Sequence, residues 1–314
     1  MPELWIILGA VALLAAVLLL AFYCYRRVFY SPPRKKRDIN YIDLPDGDDY
    51  SSVKEAMVEW ILWARSLPHE DCSIVSHDGL TLRGKYYERE KGAPIEILFH
   101  GYRGDSERDL SAGIERCFAV NRNVLLVDQR ASGASDGKTI TFGVKERYDC
   151  LKWIDFVNER FGKDTQILIS GVSMGAATVV LAAAEELPDN VKCVLADCGF
   201  TSAEEMIKKV IAGMKLPVKL VYPFVWLGAR IFGNFNLSLA RPLDALDKCH
   251  LPIMFIHGTK DAYVPCEMSQ KMHERYHGKK GLTLIEGAPH GLAYPVNKAE
   301  YIQAVKNFEK EWKN

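Results

Sequence analysis

TQILISGVSMGAATVVLAAAEEL, residues 165–187, joins an apolar run to an alanine-rich run with no linker between them. The first six residues read as a buried strand, and the stretch from Ala176 onward reads as a helix. Ser173 falls in the turn, with Gly171 two residues before it and Gly175 two residues after. A serine at so tight a strand-to-helix turn is held with its hydroxyl projecting above the sheet. Side chains at −2 and +2 would collide there, hence glycine. The helix that starts there directs its positive end at charge developing beside Ser173. A G-x-S-x-G pentapeptide alone is a weak signal; its strand–turn–helix setting gives it weight.

Similar apolar, strand-like runs lie at 95–99 (IEILF), 123–128 (NVLLVD), 191–196 (VKCVLA), 251–256 (LPIMFI) and 282–287 (LTLIEG). Helical patterns separate most of them, for example Tyr148, Leu151, Ile154, Val157 and Phe161. Alternation of this kind predicts an α/β fold: a mostly parallel, doubly wound sheet covered on both faces, with its ligand site at the carboxyl ends of the strands. Upstream, CSIVS, an Asp78-Gly79 turn and LTLRGKYY predict an antiparallel hairpin. An amphipathic helix is expected over 53–67 from Val53, Met57, Trp60, Ile61 and Ala64.

Two strand ends complete the chemistry. Asp261 follows the run at 251–256, and His290 follows the run at 282–287. Serine, then acid, then histidine is the order this kind of sheet requires. His290 is expected to take the Ser173 proton and Asp261 to fix its tautomer. Asp197, also at a strand end, is a rival for the carboxylate role. An oxyanion hole needs two N–H donors, for which Met174 and Tyr102 in the loop His100-Gly101-Tyr102-Arg103-Gly104 are the candidates. His100 reads as a buried loop anchor. His273-Glu274-Arg275-Tyr276-His277 fits H-E-x-x-H, but Gly278 and two lysines end the helix at once, so zinc is not expected. No cofactor is required by this chemistry.

Composition agrees with an ordinary globular chain. Lys plus Arg number 40 against 40 Asp plus Glu, so no surplus of positive charge exists to neutralise nucleic-acid phosphates. The cysteines at 24, 72, 117, 150, 193, 198, 249 and 266 form no CxxC pair and suit free, mostly buried thiols. From Leu4 to Tyr25 there is no charge, which is long enough to span a bilayer as a helix. Bulky Phe22, Tyr23 and Tyr25 oppose a cleavage site, so a retained anchor is expected. Trp5 and Tyr23, Tyr25, Phe29 and Tyr30 suit interfacial positions. Arg26, Arg27, Arg34, Lys35, Lys36 and Arg37 follow, and that bias places the catalytic domain in the cytoplasm of a single-pass protein.

The expected organisation is a transmembrane anchor over 1–30, a tether over 31–50, and a catalytic domain over 51–314. Within it, 201–240 breaks the strand–helix alternation with the apolar KLPVKLVYPFVWLGARIFGNF and reads as a helical cap.

Together LFHGYRGDSERD, VDQRASGASDG, ISGVSMGAA, IHGTKDAYVP and EGAPHGL resemble the α/β-hydrolase superfamily, most closely its serine-aminopeptidase-like branch with membrane-anchored esterases. The likeness spans about residues 70 to 312. It implies an α/β-hydrolase fold and a structural role for Asp128, Arg130, Gly133 and Ser135. The expected reaction is acyl transfer from an ester, thioester or amide to Ser173 and then to water, with a small or lipid-like acyl compound as substrate. A peptidase, an acyltransferase, or a non-catalytic binding module on the same fold are the alternatives.

Overall fold

The computed structural model describes residues 2–32, 41–45, 47 and 50–313. Eight strands form one sheet among these residues: β1 (Glu70–Val75), β2 (Thr81–Tyr87), β3 (Ile95–Phe99), β4 (Asn123–Val127), β5 (Ile167–Val172), β6 (Val191–Asp197), β7 (Ile253–Gly258) and β8 (Lys280–Ile285). Their spatial order is β1-β2-β4-β3-β5-β6-β7-β8. β1 pairs with β2, and β2 with β4, antiparallel; every later pairing is parallel. Every residue of β3, β4 and β7 is buried, as strands covered on both faces must be.

The two faces separate by the alternation of side chains along each strand. Ile95, Ile97 and Phe99 point to a core shared with α4 (Glu146–Phe161) and α5 (Met174–Ala182) through Trp153, Ile154 and Val179. Leu98, Val124 and Leu126 point the other way. They meet α2 (Lys54–Ser66) and α3 (Ser106–Ala119) through Ala64, Leu110 and Ile114. Glu96, on that second face, is a fully buried carboxylate between Arg116 and Arg122. Chain direction reverses around β3: β4 lies on one side and β5 on the other. Such a switch point leaves a crevice at the strands' carboxyl ends.

Above that crevice lie α6 (Ala203–Gly213) and α7 (Val218–Ile231), within the interval expected to form a cap. Farther along come α8 (Pro242–Ala245), α9 (Glu267–Arg275), α10 (Ala293–Val296) and α11 (Lys298–Lys313). All eight cysteines are free, and six of them are buried.

The first helix, α1 (Pro2–Val28), is long and apolar enough to cross a membrane. Its later turns depart from a simple anchor. Ala21 and Phe29 are completely buried and Tyr25 nearly so, and Tyr25 and Phe29 share one cluster with Phe142, Val225 and Phe235. Phe29 meets Phe235 edge-on at 5.2 Å and Phe142 at 5.9 Å. Tyr30 forms a β-bridge to Thr139, and the Ile140 N–H donates to the Phe29 carbonyl at 2.9 Å. At Gly228 of α7, any Cβ would stand 2.5 Å from the Ala21 carbonyl oxygen, so glycine lets the two helices touch backbone to backbone. The aromatics expected at a lipid interface are thus divided: Tyr23 is exposed, whereas Tyr25 and Phe29 are core. Much of the tether, 33–40 with the basic cluster Arg34–Arg37, lies outside the described residues.

Candidate active site

Ser173 stands between the end of β5 and the start of α5 with φ 56° and ψ −115°, a backbone region that a side-chain-bearing residue adopts only under constraint. The constraint is visible on both sides. A Cβ on Gly171 would lie 2.1 Å from the Gly175 carbonyl carbon, and one on Gly175 would lie 2.0 Å from the Phe99 carbonyl oxygen. The Ser173 N–H donates to the Asp197 carbonyl at 2.8 Å, tying the turn to the neighbouring strand.

The expected partners converge on this serine. His290 Nε2 lies 2.9 Å from Ser173 Oγ, and its Nδ1 lies 2.6 Å from Asp261 Oδ2. Asp261 Oδ1 accepts the N–H groups of Tyr263 at 2.9 Å and Val264 at 2.7 Å. Burial would raise this carboxyl, but hydrogen bonds from His257 and His290 overcome that and hold it at about 2. An ionised carboxylate therefore faces Nδ1, which makes Nδ1 the protonated nitrogen and leaves Nε2 free to accept from Ser173.

His257 was not singled out from the sequence. It is fully buried, and its Nε2 lies 2.9 Å from the Val264 carbonyl and 3.1 Å from Asp261 Oδ2. A carbonyl only accepts, so Nε2 carries the proton, and Nδ1 accepts from Ser269 Oγ at 2.7 Å. The available signal was its place directly between the apolar run at 251–256 and Gly258, where a polar residue needs a partner.

The rival acid is placed elsewhere. Asp197 is buried and accepts from Tyr301 Oη at 2.9 Å, with its Oδ1 unpartnered among the described residues. Burial raises its carboxyl to about 6; Tyr301, His257, Arg116 and His290 all act in the lowering direction. The sign of its pH effect follows. Because folding favours the protonated form, the stabilisation is complete below about pH 4 and is lost as pH rises through about 6. Between pH 4 and pH 8, the stability of Asp197→Asn relative to wild type is therefore expected to improve by at most about 3 kcal/mol. Thermal unfolding of both proteins at the two pH values measures this, and a gap that does not move would refute it.

Met174 opens α5, so its N–H has no intrahelical acceptor. Across from it, the backbone at Gly101 lies against Ser173: a Cβ there would be 3.6 Å from Ser173 Cβ. Tyr102 follows. Its ring stacks on Phe142 at 5.2 Å, and its hydroxyl donates to the Val28 carbonyl of α1 at 2.6 Å. Arg103 donates to the Arg27 carbonyl at 2.8 Å. The loop beside Ser173 is thus fastened to the end of α1. His100 is buried: Gln129 N–H donates to its Nε2 at 3.0 Å, so Nδ1–H is left to donate to the Gly101 carbonyl at 2.8 Å.

A cavity of about 320 Å³ opens over Ser173 and His290, with Tyr50, Tyr102, Arg108 and Tyr263 among its walls. Elsewhere, Asp128 accepts from Ser106 and Ala134 N–H groups and Arg130 binds Asp149 through two bonds, so this segment braces loops. α9 ends at Arg275 and Tyr276 is extended, so His273 and His277 do not share a helical face.

A family model described as alpha/beta hydrolase fold matches residues 97–225. The uncharacterized protein YqkD of Bacillus subtilis is 25% identical, covering 96% of each chain. Protein bem46 of Schizosaccharomyces pombe is 27% identical, covering 64% of this chain and 63% of its own. Among solved structures, the Pyrococcus furiosus esterase Pf2001 superposes with a TM-score of 0.67 at 24% identity, covering 91% of this chain and 99% of its own. At that identity the likeness concerns the fold, which is the one expected from the sequence.

Proposed function

We propose that this chain, which has the α/β-hydrolase fold, is a serine hydrolase that cleaves carboxylic esters through an acyl-enzyme on Ser173. The observation that carries this reading is the unbroken relay from Ser173 Oγ through the two nitrogens of His290 to an ionised Asp261. In the first step, Ser173 Oγ attacks the acyl carbon while His290 Nε2 takes its proton. The developing oxyanion is met by the N–H groups of Met174 and Tyr102. His290 then passes the proton to the leaving alcohol, whose bond to the acyl carbon breaks. Water repeats the sequence, with His290 as base, and releases the acid. Throughout, Asp261 and the hydrogen bonds that hold it keep the imidazole oriented and stabilise its charged form. His257 is a positioning residue in this scheme, since it touches the acid rather than the substrate.

The first helix is read as a single-pass membrane anchor. Arg26 and Arg27 at its carboxyl end favour a cytoplasmic position for the domain. An alkyl fluorophosphonate reacts with a serine activated in this way, with loss of fluoride. Full-length protein in detergent is expected to be labelled, and the label to map to the peptide bearing Ser173. A folded protein that takes no label would return the chain to the non-catalytic alternative.

A further inference from the structure

A second cavity, of about 360 Å³, lies where α1 meets the helices above the sheet. Three helices contribute to its walls, with Cys24 and Val28 from α1, Ile207 and Ile211 from α6, and Val221 and Val225 from α7. Tyr102 and Tyr263 line this cavity and also the one that holds Ser173, so these two rings form a boundary shared by the two spaces. The volume is within the range of small-molecule sites, and the walls are mainly aliphatic and aromatic, with Arg27 and Arg103 as the charged residues among them. One wall is the last two turns of the helix read as crossing the bilayer, so the groove opens where that helix leaves the lipid. Val210, Met214 and Leu216 line it yet stay exposed, and Leu220 and Ile231 of α7 extend the apolar surface beyond it. Exposed apolar surface of this extent, continuous with a membrane helix, belongs against lipid.

We propose that this groove is the acyl site: it takes the single fatty chain of an ester drawn from the bilayer and delivers the carbonyl to Ser173. The proposal rests on the acyl-transfer reading of Ser173 and adds to it both the substrate class and the route of entry. The membrane helix is then part of the binding site. It supplies one wall directly, and through Val28 and Arg27 it holds the loop bearing Tyr102.

The test uses full-length protein in phosphatidylcholine vesicles, with p-nitrophenyl laurate and p-nitrophenyl acetate as paired substrates. Ile211→Trp and Val221→Trp narrow the groove from two different helices. In each variant the laurate-to-acetate ratio of kcat/KM is expected to fall at least about tenfold, because a filled apolar pocket rejects a long chain far more than a methyl group. An unchanged ratio in variants whose Ser173 still takes a fluorophosphonate label would overturn the proposal. Should neither variant take the label, the wild type decides, using a dodecyl fluorophosphonate that carries a terminal diazirine. Photolysis expels nitrogen and joins the chain end to its neighbours. Cross-links to peptides of α1, α6 or α7 support the groove, and cross-links confined to other elements overturn it. Loss of acetate turnover and of labelling in the wild type would instead strike at the hydrolase reading itself.

Discussion

Replacing Ser173 by alanine is expected to lower kcat for a short p-nitrophenyl ester by at least about a thousandfold and up to roughly a millionfold, with little change in KM. The size follows from what the side chain contributes. Without Oγ there is no acyl-enzyme, and His290 has no proton to take from the nucleophile. What survives is whatever the oxyanion donors and substrate binding achieve with water alone, and in other triad enzymes that remainder is small. Alanine removes one buried oxygen atom and leaves Cβ in place, so the strained turn at φ 56° keeps its packing. A variant that retains its thermal unfolding temperature yet loses turnover would therefore report on chemistry. Retention of more than about a tenth of the wild-type rate would exclude Ser173 as the nucleophile.

The second large effect concerns stability. Glu96→Ala is expected to cost about 3–5 kcal/mol, as removal of one member of a buried ion cluster generally does. Glu96 has no exposed surface and receives hydrogen bonds from Arg116 and, at 2.6 Å, from Arg122, whose other nitrogen lies 3.2 Å from Glu309. Burial alone would raise its carboxyl, but the two guanidinium groups more than offset this and hold it below the usual carboxylate range. Alanine would leave both guanidinium groups in the core without their shared counter-charge. The expected result is an unfolding temperature lowered by about 10 °C, at roughly 2–4 °C per kcal/mol for a domain of this size. Simultaneous replacement of Glu96, Arg116 and Arg122 by apolar residues of similar volume is expected to recover most of the loss, since the cluster's net worth against such a core is small. A single Glu96→Ala variant as stable as wild type would show that water reaches this site.

These two predictions differ in how far the sequence announced them. Ser173, Asp261 and His290 were legible because each ends a core strand, and strand ends can be located from local apolar runs. The six runs from 95 to 287 all became strands, shifted by a few residues at most: the run at 165–170 became β5 at 167–172, and that at 282–287 became β8 at 280–285. Glu96 was passed over because a single carboxylate inside IEILF carries no local sign of its partners. Arg116 and Arg122 arrive on α3 and on the connection after it, and only the folded sheet brings them to the same point. His257 was missed for the same reason: its value lies in Asp261 and Ser269, reached through a loop and a helix. The last turns of α1 were the hardest to read. Tyr25, Phe29 and Tyr30 satisfy the composition of a lipid interface and of a protein core equally well. Only the approach of Gly228 and Phe142, far along the chain, distinguishes the two.

The contact between Ala21 and Gly228 also sets an order of events during biosynthesis. α1 is synthesised well before β3 or α7, and at ordinary ribosomal rates, about 5–20 residues per second, many seconds separate the two halves of that contact. Throughout this interval the buried faces of Tyr25 and Phe29 lack the partners that later parts of the chain supply, Phe142, Phe232 and Phe235 among them. On the proposed reading of α1 as a membrane anchor, lodging it in a bilayer keeps those rings from clustering with other nascent chains while the sheet assembles. The domain then closes onto the emerging end of the helix once residues 139–142 and 218–235 have been made. Membrane insertion, on that reading, acts as a holding step for folding as well as a means of attachment.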